Sequence, residues 1–328
     1  MIEETIAKLF KENSLGDILL PIKPVSGGFM HRMYRVNTKD RSYAVKHLNS
    51  NVMKRPDAPA NYKKAEALES KLENAGIAIV PALTLDGKKM QEADGEYFYI
   101  FNWVEGKITD WYDITPEQCK MAGNIQGRIH AIEYEEKSSA EPEICSIDWS
   151  GHIAAAKTLN SEIAPVLKEN EQLLYYAVDE MNKAREALPL IETIIDEDMD
   201  PKNVMWNKGE PVVIDLECLD YGNPVSSAVQ LSLQWSGITT CDLDLEKVKS
   251  FFEGYKSAFD CGFKAYDKVF GLAYTWVEWL EYNIERALGD CMDESERSMG
   301  ISEVKNTLNR IKYLYEHESE IKEVLASV

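Results

Sequence analysis

Strand-like stretches crowd into the first hundred residues of this 328-residue chain, and long helical periods fill the rest. Residues 2–12 read as a short amphipathic helix. Alternating apolar positions over 22–26, 33–37 and 42–48 read as strands. The first two flank Ser26-Gly27-Gly28-Phe29, and the second and third flank a hairpin turn at Thr38-Lys-Asp40. A helix over 61–75 follows, with Ala65, Leu68 and Leu72 on one face and Gly76 as its stop. Two more strands, about 77–84 and 96–102, lie either side of a turn at Asp86-Gly87. After Val104-Glu105-Gly106 the texture changes. Thr115-Pro116-Glu117 starts a helix with proline in its first turn. Helical patterns then cover about 115–133, 162–185, 224–236, 245–260, 266–289 and 302–325. In this part only 203–207 and 211–216 look strand-like, and 135–147 reads as loop. The expectation is an α+β fold of two lobes. The first, over 1–104, has five largely antiparallel strands and one internal helix; the second, over 105–328, is larger and mostly helical.

Composition narrows the partners. The chain carries 56 acids against 36 Lys and Arg, a formal charge of -20. That excess argues against nucleic acid or an anionic membrane as partner. It suits a cationic small molecule, and it equally serves solubility alone. No apolar run reaches the roughly 18 residues of a membrane span, and the acidic start Met1-Ile-Glu-Glu-Thr does not read as a signal peptide. The six cysteines are scattered without a C-x-x-C, which reads as reduced thiols in a cytoplasmic protein rather than a zinc site.

The most informative segment is Asp196-Glu-Asp198-Met-Asp-Pro201-Lys-Asn203, followed by Ile214-Asp215-Leu-Glu217. A carboxylate, an amide five residues on and a second carboxylate at a strand end suit Mg·ATP phosphoryl transfer. Asp198 can orient and deprotonate a hydroxyl, while the Asn203 amide oxygen and Asp215 can hold magnesium on the phosphates. Asp215 ends the apolar run Val212-Val-Ile214, where an acid is costly to bury without a compensating metal or donor. The four acids at 196, 197, 198 and 200 also suit a plain acidic loop; the spacing, glycine and terminal glutamate of an EF-hand are absent. Lys46, in Tyr43-Ala-Val-Lys46, shares a strand with apolar neighbours and can point into a cleft. Glu66, twenty residues on, is its candidate partner, with Glu69 and Glu73 reading as a solvated face. Gly27-Gly28 can bring main-chain N–H groups near phosphate, though a double glycine in a hairpin is also an ordinary turn. Neither a P-loop nor a complete G-x-G-x-x-G is present.

These motifs, in this order and spacing, resemble the aminoglycoside phosphotransferase and choline kinase family, a branch of the protein-kinase-like fold. The resemblance covers most of the chain. It likens Val25 to Val36, with Ser26, Gly27 and Gly28, to the nucleotide loop, Lys46 to the strand lysine and Glu66 to the helix glutamate. Phe101-Asn102-Trp103-Val104 resembles the hinge whose backbone meets adenine. Ile125 to Ala131, with His130, resembles a helix of the second lobe; Asp198 to Asn203 resembles the catalytic loop, and Asp215 the metal-binding strand end. One position departs: the family usually has histidine two residues before the catalytic aspartate, and here it is Asp196. The implied cofactors are ATP, with GTP as the alternative, and Mg2+.

After Asp215 there is no Phe-Gly and no long activation segment, so a compact small molecule fits better than a protein acceptor. Glu217 and Asp220, near the metal strand, and Trp235, Trp276, Glu278, Trp279 and Tyr282 in the helical lobe are candidate acceptor contacts. Aromatic faces and carboxylates of this kind could hold a cationic amine; they could equally be core and solvated surface. The resulting expectation is an ATP- and magnesium-dependent O-phosphotransferase acting on an aminoglycoside or related amino-sugar. Choline, homoserine or another small alcohol is the alternative acceptor, and a non-catalytic nucleotide-binding protein is the alternative class.

Overall fold

The computed structural model describes residues 2–25, 31–139, 144–291 and 293–328. The chain divides into two compact units, one of 1–108 with 202–220 and one of 109–201 with 221–328. This differs from a single cut after Val104, because the segment carrying Asn203 and Asp215 groups with the first unit.

In the first unit a five-stranded antiparallel sheet has the spatial order Ile18–Val25, Arg32–Thr38, Ser42–His47, Glu96–Asn102, Gln91–Ala93. The fourth strand expected at 77–84 is absent. That stretch makes only isolated bridges, Ile79 to Val213 and Ala82 to Phe101, and the short strand Gln91–Ala93 takes the sheet edge instead. Strand alternation sends Tyr43 and Val45 to one face, where they pack with Ile6, Phe10, Val36, Phe98 and Ile100. The helix Ile2–Glu12 covers this cluster with Ile6, Leu9 and Phe10. Lys46 lies on the opposite face from Val45 and is also buried. The helix Ala58–Asn74 buries Ala65, Leu68 and Leu72 as its period requires, and Gly76 follows it with φ 68°, a conformation glycine adopts freely.

Also in this unit, Val204–Asn207 and Glu210–Val213 form a hairpin in which Val204 faces Val213. Val213 N–H donates to Ala78 O and Val80 N–H to Val213 O, both at 2.9 Å. Lys107–Ile108 pairs with the hairpin's other side through Trp206 and Met205. These bonds explain why the segment belongs with residues distant in sequence.

The second unit is mainly helical, and its principal helices agree with the expected spans: Pro116–His130, Ile163–Glu186, Pro224–Trp235 and Leu245–Ala258. Thr115 caps the first with a full capping box. Three differences stand out. The expected helix at 266–289 is a 3-10 segment, Tyr266–Thr275, leading into Trp276–Leu288; the expected helix at 302–325 is two, Glu294–Glu316 and Glu318–Ser327; and Trp149–Thr158 is a further helix inside a region that gave no signal. A small strand pair also appears where none was expected, with Ile191–Asp196 antiparallel to Tyr134–Glu136. The longer strand delivers the chain to Asp196 and Asp198.

The helices Pro116–His130 and Leu245–Ala258 cross almost in backbone contact. A Cβ at Gly254 would sit 1.8 Å from the Lys120 carbonyl oxygen, and one at Gly123 would sit 2.0 Å from that of Phe251. His130 is fully buried beside this crossing and shares a 2.9 Å hydrogen bond with the Tyr255 hydroxyl. Burial pushes its pKa down to about 3.

Gly254→Ala should therefore destabilise the fold by about 1–3 kcal/mol or more, despite alanine's better helix propensity, measured as a lower urea midpoint. For His130 the folded pKa lies below the unfolded one, so the unfolded chain binds the extra proton first. Stability should be fully present above about pH 6.5 and fall by up to about 1.4 kcal/mol per pH unit as pH drops toward 3. Denaturation of wild type and His130→Phe between pH 7 and 4 should show a shallower pH dependence in the variant.

Candidate active site

Lys46 and Asp215 are 169 residues apart in sequence and meet at 2.6 Å; Glu217 takes the same ammonium at 2.6 Å. The lysine side chain is 7% exposed. Burial alone would lower its pKa, but the two carboxylates outweigh burial and hold it above the ordinary lysine value. An ammonium has three N–H donors. Among the described residues two are engaged, which leaves one for a further acceptor.

The expected Lys46–Glu66 pair is not formed. Glu66 Oε1 instead accepts from the Tyr99 hydroxyl at 2.8 Å and from Met90 N–H at 3.1 Å. Glu217, two residues past Asp215, occupies the place at the lysine that Glu66 was expected to fill. Glu69 is not on a solvated face: it is buried, ion-paired with Lys89, and accepts from Ala82 N–H at 3.0 Å. One small cavity nevertheless gathers Lys46, Glu66, Phe101, Asp215 and Glu217, with Tyr99 among its walls.

Glu217 is a residue whose importance the sequence only hinted at. Its Oε1 lies 3.1 Å from His31 Nε2. His31 is buried, and its Nδ1 accepts the Asn49 N–H at 3.0 Å, which puts the ring proton on Nε2, facing the carboxylate. Burial would raise the Glu217 pKa, yet His31 and Lys46 together hold it down to about 2. No local pattern marked His31, because its role depends on a residue 186 positions away in the chain.

The hairpin sets the geometry of the two expected metal ligands. Asn203 precedes one strand and Asp215 follows the other, and Ile214 N–H donates to Asn203 O at 2.9 Å across the open end. Asn203 is buried. Asp215 has φ 63° and ψ 64°, a left-handed conformation that costs a residue other than glycine about 1–2 kcal/mol and that aspartate tolerates better than most. An amide oxygen and a carboxylate are the hard donors magnesium favours. Among the described residues there is no group of three or more His, Cys, Asp or Glu that could hold a metal.

In the second unit the loop after Ile191–Asp196 carries Asp198. Asp196 is 2% exposed, and its Oδ1 accepts the Asp198 N–H at 3.2 Å. Asp196 thus shapes the loop from the position where the resembled family usually has histidine. Asp198 itself is part-exposed between buried Asp196 and Met199. Trp235, a candidate acceptor contact from sequence, is instead fully buried and donates Nε1–H to Met199 O at 2.9 Å, anchoring the loop from behind.

The other candidate acceptor residues are engaged by the chain's own cations. Asp220 pairs with Lys64 at 2.8 Å and Glu278 with Arg185 at 2.9 Å. Arg310 lies over Trp276 at 4.8 Å and Arg286 over Tyr282 at 5.4 Å. The Trp279 ring is tilted against that of Tyr282, centroids 5.5 Å apart, and its Nε1–H donates to Glu303. At the expected hinge, Phe101 and Asn102 are in the sheet opposite Ala44 and Tyr43, and Trp103 N–H donates to Ser42 O at 3.0 Å. That leaves the Trp103 N–H out of any adenine contact. Ser26, Gly27 and Gly28 lie outside the described residues.

Comparison with known proteins gives the family and the fold. The model of the phosphotransferase enzyme family matches residues 21–258. No curated protein sequence matches the chain. Among solved structures, a choline/ethanolamine kinase family protein from Mesorhizobium loti aligns over 100% of this chain and 99% of its own, with 15% identity and a TM-score of 0.66. A spectinomycin phosphotransferase in complex with ADP and spectinomycin aligns over 99% and 98%, with 14% identity and a TM-score of 0.63. A microcompartment-associated aminopropanol kinase aligns over 96% and 98%, with 13% identity and a TM-score of 0.58. At these identities the structures establish a shared kinase-like fold, and the family match, which spans well over half the sequence, makes the chain a member of the phosphotransferase enzyme family.

Proposed function

We propose that this protein is a cytoplasmic, Mg·ATP-dependent O-phosphotransferase that transfers the γ-phosphoryl group to a hydroxyl of a small molecule, with GTP as the alternative nucleotide. The observation that carries the reading is the Lys46–Asp215–Glu217 cluster in a cavity shared with Glu66 and Phe101. Lys46 would offer its remaining N–H to a phosphate oxygen while Glu217, oriented by His31, fixes the ammonium. The backbone near Phe101, Asn102 and Val104 would meet the adenine edge, with Ser26, Gly27 and Gly28 over the phosphates. Asn203 and Asp215 would hold magnesium, which when bound neutralises phosphate charge. Asp198 would orient the acceptor hydroxyl and take its proton.

For the acceptor we infer an aminoglycoside or related amino-sugar first. The reading draws support from the family match and from relatives whose names include spectinomycin and amicoumacin. Small amino alcohols such as choline or ethanolamine come second, on the names of other relatives. Because Asp220 and Glu278 are already ion-paired, a cationic acceptor would have to exchange with Lys64 or Arg185 to use them.

Acceptor-dependent ADP release, assayed across aminoglycosides, amino-sugars, choline and ethanolamine, tests both levels. Asp198→Asn should cut turnover about 10²–10⁴-fold while calorimetry finds Mg·AMP-PNP binding unchanged. Asp215→Ala should lose the strengthening of nucleotide binding by magnesium. Undiminished turnover in Asp198→Asn would remove Asp198 from the mechanism; undiminished magnesium dependence in Asp215→Ala would remove the metal assignment.

A further inference from the structure

A second cavity lies wholly within the helical unit and has a volume of about 590 Å³, within the range of small-molecule sites. Its walls come from Thr239 and Thr240, just past the Pro224–Trp235 helix, and from Asn306, Asn309, Arg310 and Tyr313 on the Glu294–Glu316 helix. None of these residues takes part in the chemistry proposed above.

Arg310 is the unusual member. Its side chain is only 11% exposed. Its Nε–H donates to Thr239 O at 3.3 Å, and its guanidinium rests on Trp276 at 4.8 Å. The nearest carboxylate, Glu303, stands 3.9 Å from Nη1, beyond hydrogen-bond length, and is itself engaged by Trp279 Nε1–H and Asn306 Nδ2–H. A guanidinium has five N–H donors in a planar fork. One is used here, and the two terminal nitrogens make no hydrogen bond among the described residues. An arginine so far removed from water and so weakly paired is costly. The direction of its pKa agrees: burial lowers it, and Glu303 and Cys241 only partly oppose that. The other buried arginine of this unit, Arg286, differs in bonding to Asn283, Glu296 and Met299.

We propose that this cavity is a recognition site for the carboxylate of a small hydroxylated ligand. A planar carboxylate matches the open fork of Arg310 in two parallel bonds. Thr240, Asn306, Asn309 and Tyr313 supply neutral donors and acceptors of the kind that read hydroxyls. A dianionic phosphate fits less well, because the only other cation on the wall, Lys312, is largely exposed and 4.0 Å from Glu316, which also lines the cavity. The site also lies close in sequence to the catalytic loop's support: Thr239 follows Trp235, the anchor of Met199, by four residues. The proposal stands on the helical unit alone and does not depend on the phosphotransfer reading.

The test is calorimetric binding to the full chain. The probes are D-gluconate, D-glycerate and L-tartrate, with neutral D-glucitol, cationic D-glucosamine and inorganic phosphate as comparators. At least one hydroxy acid should bind at least about tenfold more tightly than glucitol, glucosamine and phosphate. Arg310→Met, which keeps the apolar stem over Trp276, should lose that preference. Asn309→Asp, on an exposed helix position, should weaken the acid severalfold without affecting folding. Mg·AMP-PNP binding, followed in parallel, should be the same in all three proteins; its absence in wild type would count against the phosphotransfer reading and leave the carboxylate result standing. The proposal is overturned if no hydroxy acid binds at millimolar concentrations, if glucitol, glucosamine or phosphate binds as tightly, or if Asn309→Asp and folded Arg310→Met both retain wild-type affinity for the acid.

Discussion

A lysine ammonium with almost no access to water is the constraint around which the first unit is organised. Strand alternation drives Lys46 to the face opposite Val45, and an ion there is tolerable only with carboxylates in contact. Asp215 and Glu217 provide them from the far end of the hairpin segment. That need accounts for several otherwise separate facts: the left-handed backbone at Asp215, the orientation of the His31 ring, and the grouping of residues 202–220 with the first hundred. The same cluster supplies charge of both signs within one cavity, which is what a polyphosphate with its counter-ion requires.

The acidity of the chain looks different once the pairs are traced. A formal charge of -20 suggested a surface ready for cations. Yet Glu217, Asp220 and Glu278 are held by Lys46, His31, Lys64 and Arg185, and two of the aromatic faces carry arginines. Net charge is a property of the whole envelope and does not locate an electrostatic vacancy. Arg310, a little-exposed cation with its nearest carboxylate beyond hydrogen-bond length, makes the same point with the opposite sign.

Much of the fold could be read from local pattern. The alternation around Tyr43 and Val45, the period of Ala65, Leu68 and Leu72, and the Thr115-Pro116 start each specify an element through contacts within a few residues. What could not be read is tertiary. On paper Glu66 is the partner for Lys46, but Tyr99 and Met90 N–H engage Glu66, and Glu217 pairs with the lysine instead. Ile191–Asp196 is too short and too close to a long helix to announce itself as a strand. Trp235 looked like a ligand contact because aromatic residues serve both purposes; full burial and its bond to the Met199 carbonyl place it in the core. Asp196 departs from the histidine usual in the resembled family, and its Oδ1 accepts the Asp198 N–H, a contact that shapes the loop from that position.

The main-chain bond from Ile214 to Asn203 has an evolutionary corollary. Because backbone pairing holds the amide and the carboxylate at the same end of the hairpin, drift in the side chains of Val204–Asn207 and Glu210–Val213 should leave their spacing largely intact. Insertions at the distal tip, Lys208-Gly209, should be tolerated on the same ground. A single-residue deletion inside either strand is a different matter: it slips the register and turns every later side chain to the opposite face. Lineages of this protein should accumulate length variation at the tip and almost none along the arms.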